Sequence, residues 1–144
     1  MRVLPGEPRE HMDALLRLLV PHGRRSIATF GTVTPLGASM RPDGEVATVA
    51  GADDVSPGVV LESVYAELRS AADAGELLAC AVVSDVTFEG VEWPDGLRIE
   101  LEHRDADPIT FVLRYRTSDD GPVWSDPVTM PGTRRTWDHP VGET

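Results

Sequence analysis

The chain has 144 residues, 24 of them acidic and 13 basic, for a formal net charge of -11, and all of its basic residues are arginine; lysine, asparagine and glutamine are absent. Without lysine there is no Walker A phosphate loop, no Schiff base and no lysine general base. Without side-chain amides there are no bidentate adenine readers and no amide donors for an oxyanion hole.

This length suits one domain, 1–144, burying roughly 68–70% of the surface of its unfolded chain. Hydrophobic residues make up 41% and charged residues 26%, both in the globular range. Acid in excess repels phosphate backbones, so nucleic acid is not an expected partner. No apolar stretch approaches the ~20 residues of a membrane span. The single cysteine and the lack of a signal-peptide pattern lead to an expected cytoplasmic location.

Pro8 suits a first helical turn, and Met12, Leu15, Leu16 and Leu19 follow at the spacing of one apolar helix face, which predicts a first helix that Pro21 and Gly23 stop. Residues 24–35 read as a short strand or extended connector. Leu36 to Arg41 and Glu45 to Ala50 flank Pro42-Asp43-Gly44, a turn cluster, and predict a hairpin. Ser56 and Pro57 open a second helix with its apolar stripe on Val60, Leu61, Val64, Leu68 and Ala71, ended by Gly75.

Leu77 to Phe88 is almost continuously apolar and predicts a central strand covered on both faces. Leu97, Ile99, Leu101 and His103 then alternate with Arg98, Glu100, Glu102 and Arg104, and Ile109, Phe111, Leu113 and Tyr115 repeat the pattern. Two hairpin registers fit, one with His103 opposite Ile109 and one with Asp105 opposite Ile109, and each leaves the charged face to solvent. Past Arg116, prolines 122, 127, 131 and 140 break the pattern. Residues 117–144 are expected to form an irregular, partly mobile tail, with a possible edge strand inside Val123 to Met130. The expected fold is α+β: a single antiparallel sheet of about five strands with two helices, in the order α-β-β-α-β-β-β.

No catalytic constellation emerges. His11, His22, His103 and His139 have no zinc spacing. His103, Asp105 and Asp107 surround a turn and form the best candidate for a divalent cation, but Arg104 sits among them, and acids are ordinary turn residues. Ser39 in Gly37-Ala38-Ser39-Met40-Arg41 lacks the last glycine of a nucleophile elbow. Cys80, between alanines in the central strand, reads as a buried thiol. Trp93, Trp124 and Trp137 fall outside the periodic segments and are candidate interface anchors, with packing over a sheet edge as the competing role. No cofactor is expected.

The order helix, hairpin, helix, three-stranded meander over Pro8 to Arg116 resembles the roadblock and profilin-like interaction domains in topology. That resemblance implies one antiparallel sheet between helices and a non-catalytic regulatory module that self-associates through a helix or sheet edge. The chain departs from the pattern after Tyr115, where proline-interrupted residues replace a closing helix. The expectation is therefore a protein-interaction or regulatory module, binding a protein partner or itself, rather than an enzyme. The alternatives are an acidic inhibitor or immunity-type protein that blocks a basic partner, and a small hydrolase or ligand-binding protein with its site near His103.

Overall fold

A computed structural model describes residues 6–53, 56–88 and 92–137. The fold is α+β, with two helices and one antiparallel sheet of seven strands. The elements are α1 (Pro8–Phe30), β1 (Leu36–Met40), β2 (Val46–Ala50), α2 (Pro57–Asp73), β3 (Ala79–Thr87), β4 (Asp95–His103), β5 (Ala106–Ser118), β6 (Gly121–Trp124) and β7 (Val128–Pro131). Strand order is β2-β1-β3-β4-β5-β6, and β7 also pairs with β5.

β3 is central, between β1 and β4. Its residues 79–84 are buried throughout, as an apolar run predicts for a strand covered on both faces. On one face Met12, Leu15, Leu19 and Ile27 of α1 pack over Ala79, Ala81, Val83, Leu97, Ile99 and Leu101. On the other, Val64, Tyr65 and Leu68 of α2 join Cys80, Val82 and Trp137. The alternation of β3 thus feeds two separate cores.

Helix α1 does not stop at Pro21. It runs to Phe30 and ends where Gly31 adopts φ 76° and donates its N–H to the Ile27 carbonyl. Residues 24–30, expected to be extended, are helical because the buried stripe Leu15, Leu19, Gly23, Ile27 continues across the proline. An interior proline costs ~3 kcal/mol, and contact with the sheet offsets it. Gly23 permits that contact, since a Cβ there would lie 2.6 Å from Leu97 Cδ2. Helix α2 ends as expected: Gly75 has φ 73°, and Glu76 donates its N–H to the Ala71 carbonyl.

The β4–β5 hairpin closes in neither predicted register. Leu101 lies opposite Ile109 and Glu100 opposite Thr110, and His103 then meets Ala106 after a register shift. Between those pairs β4 has Glu102 alone while β5 has Asp107 and Pro108, so β5 carries a bulge. A bulge accommodates Pro108, which has no N–H for the ladder.

The expected irregular tail is largely structured. β6 and β7 run along the same edge of β5, pairing with residues 115–118 and 109–112. Three residues, 125–127, face two on β5, so the two strands are one bulged strand kinked beside Pro127. Residues 132–137 then cross the sheet face that carries α2, where Thr136 and Trp137 are buried. Residues 138–144 lie outside the described residues.

Gly23→Ala should destabilise the protein by about 1–3 kcal/mol through overpacking against Leu97, although alanine is the better helix former by ~1 kcal/mol. Urea unfolding checks this: the midpoint should fall at an unchanged slope.

Candidate functional site

The charged face of β4 is not solvated as the alternation implied. Glu102 is 2% exposed, and its carboxylate accepts backbone N–H groups of Arg135 (3.1 Å) and Thr136 (2.9 Å). Burial raises its pKa, opposed by these same N–H groups. Glu100 accepts the Tyr65 hydroxyl and Arg135 Nη1 at 3.1 Å, while Arg135 stacks 3.9 Å over the Tyr65 ring and reaches Glu62. Arg69 Nε donates to the Arg135 carbonyl at 2.8 Å. Burial, then Glu100, raises the Tyr65 pKa. These partners fasten residues 135 and 136 to α2 and β4 as a clamp.

Beneath the clamp lies Cys80, buried, with Sγ 3.4 Å from Thr136 Oγ1. Burial, then Glu102, pushes its thiol pKa up, the opposite of an activated nucleophile.

His103 is 1% exposed and stacks on His11 of α1, the rings 5.2 Å apart and 13° from parallel. The Asp105 N–H donates to His103 Nδ1 at 2.9 Å, which places the proton of the neutral ring on Nε2, 3.0 Å from His11 Nδ1. Burial, then the facing His11, lowers the His103 pKa to about 4, against the opposing pull of Asp105. Asp105 instead pairs with exposed Arg104 at 3.1 Å, and Asp107 lines a shallow cavity beside Arg9. The turn does not gather His103, Asp105 and Asp107 around a common point, and among the described residues no group of three or more His, Cys, Asp or Glu is placed to hold a metal ion.

The tryptophans divide. Trp137, proposed from sequence as an interface anchor, is 7% exposed and belongs to the α2-side core, with Arg134 5.8 Å from its ring. Trp124 is half-buried against Tyr115 and lies under Arg24 of α1. Trp93 is half-buried with Arg116 4.3 Å above it. All three have packing partners within this chain.

Two features were given no functional part by the sequence. The first is the edge strand β2, Val46-Ala47-Thr48-Val49-Ala50, exposed at every position but Val49. Its lack of charge and proline was legible in the sequence, but its place at the edge was not. The second is a cavity of about 330 Å³ at the end of the sheet away from His103, lined by residues that include Val33, Gly58, Leu61, Ser84, Asp85 and Arg98. β1 ends at Leu36 opposite Val83, so β3 from Ser84 onward has a paired neighbour only in β4. Asp85 on the wall accepts hydrogen bonds from Thr32 Oγ1 and the Tyr115 hydroxyl, both 3.1 Å.

Comparison of the chain with protein-family models, curated proteins and solved structures finds no match. Among the described residues, no helix is long and apolar enough to cross a membrane.

Two predictions follow from the buried polar groups. The native His103 pKa lies below the usual 6.5, so the unfolded state binds more protons between the two values. Its contribution to stability is complete above about 6.5 and is lost as pH falls toward about 4. Urea unfolding across this range should show the stability difference between wild type and His103→Phe moving against the wild type as pH falls, and a constant difference would refute the assignment. Glu102→Ala should cost about 1–3 kcal/mol by orphaning two buried N–H groups. It should also open Cys80 to a thiol reagent below the unfolding transition, whereas the wild-type thiol should react only on unfolding.

Proposed function

We propose that the protein is a non-catalytic interaction module that pairs with a second copy of itself through β2. The contrast between the two sheet edges carries this reading. The β6–β7 edge has Pro122, Pro127 and Pro131 and a bulge, the devices by which edge strands avoid adding further strands. β2 has none of them: no charge, no proline, no glycine, and pairing only with β1. Val46, 42% exposed, adds apolar surface to that edge.

Antiparallel pairing about a two-fold axis at Thr48 sets Val46 against Ala50 of the second copy, Ala47 against Val49, and the two threonines against each other. Threonine pairs and β-branched contacts across strands contribute roughly 0.2–1 kcal/mol each. The pairing continues one sheet through both copies.

A second reading rests on the net charge of -11: an acidic inhibitor held to a basic partner by charge complementarity. Salt separates the two. Self-pairing joins two negatively charged bodies through an uncharged strand, so screening strengthens it, whereas capture of a basic partner weakens with salt.

Sedimentation equilibrium tests the proposal. The 15.6 kDa chain should give a concentration-dependent species of twice that mass, tighter at moderate than at low salt, and Thr48→Lys should return it to monomer. One 15.6 kDa species at every concentration and salt level would overturn it.

A further inference from the structure

We propose that the cavity beside β3 binds a small organic carboxylate with a branched apolar body. This is a site separate from the β2 edge, and it stands or falls independently of self-pairing.

Three observations converge on an anion. The first is Arg98, which lines the cavity with its side chain 32% exposed. Its Nε is buried without a hydrogen-bond partner among the described residues, and its ion pair with Glu100 is 4.0 Å long. Glu100 engages Tyr65 and Arg135 through Oε2, and the Oε1 that faces Arg98 Nε is beyond hydrogen-bond reach. A buried Nε–H without an acceptor is costly, and a planar carboxylate matches the guanidinium fork in bidentate fashion.

The second observation is Ser84, directly opposite Arg98 in the β3–β4 ladder and therefore on the same sheet face. Ser84 is 6% exposed and lines the same cavity. A ligand oxygen between them would accept from both the guanidinium and the hydroxyl, giving the buried Arg98 Nε the partner it lacks among the described residues.

The third is the start of α2, a helix of 17 residues. Gly58 in its first turn lines the cavity, where N–H groups lack partners inside the helix and the helix dipole favours negative charge.

The walls choose among anions. Val33 and Leu61 offer apolar surface, and about 330 Å³ is at the small end of ligand sites. Asp85 shares the cavity, and one guanidinium faces it in a chain of net charge -11, so a single negative charge is favoured over the two of a phosphate. Past Val83 the free edge of β3 also turns alternate backbone groups toward this space.

The test uses nitrogen-15-labelled full-length protein titrated with 3-methylbutanoate, its neutral isostere 3-methylbutanamide, and inorganic phosphate. Expected are saturable shifts of the Gly58 and Ser84 amides and of Arg98 Nε–H, with the carboxylate binding at least about tenfold tighter than the amide. Arg98→Met should lose about tenfold in affinity, a charge-assisted contact. Ser84→Ala, a smaller change that keeps the arginine, should lose several-fold. Absence of saturable shifts, equal binding of carboxylate and amide, or tighter binding of phosphate would overturn the proposal. Should Arg98→Met fail to fold, the carboxylate-to-amide ratio on the wild-type protein decides the matter.

Discussion

Burial of β3 on both faces is the constraint from which the rest of the structure follows. A strand whose residues 79–84 are all withdrawn from water needs a cover on each side of the sheet, and the chain supplies α1 on one and α2 on the other. Helix α2 covers the half nearest β1 and β2. Over Glu102 the cover comes from residues 134–137, which return across the sheet after the last strand and place Trp137 beside Cys80. Glu102 is the anchor of that return. Its carboxylate gives two backbone N–H groups the partners they need out of water, at the cost of a raised pKa.

The central place of β3 also decides where the sheet stays open. The five residues of β1 pair with only five of the nine in β3, so the far end of β3 is left without a second neighbour. There Ser84 and Arg98 meet in the cavity beside the start of α2. At the outer margins the chain treats its two edges differently, breaking one with prolines and a bulge and leaving the other as five uncharged residues. Edge strands are ready templates for further pairing unless blocked. The asymmetry is the observation that supports the proposed self-association through β2.

Elements set by local chemistry were legible in the sequence. The start of α1 at Pro8, the hairpin around Pro42-Asp43-Gly44, the span of α2 with Gly75 behind it, and the central strand all follow from periodicity and turn residues. What failed depended on contacts distant in the chain. Pro21 is a sound local stop signal, overridden because Gly23 and Ile27 have a sheet to lie on. The β4–β5 register turned on a bulge at Asp107 and Pro108 that alternation alone cannot reveal. Glu100 and Glu102 looked solvated because nothing in their neighbourhood announces that Arg135 and Thr136, more than thirty residues away, will cover them. The candidate sites divide in the same way. Trp137 and His103 were noticed for their residue type and are occupied inside the fold, whereas Arg98 and Ser84 acquire meaning only through strand pairing.

Self-pairing through β2 is tested most directly at the backbone of that strand. Amide hydrogen exchange of residues 46–50, followed as protein concentration rises, reports whether its outward N–H groups gain partners. The account predicts that these amides, and not those of the proline-broken edge at 121–131, become progressively protected. Exchange in β2 that is independent of concentration, while the sheet around β3 remains protected, would contradict it.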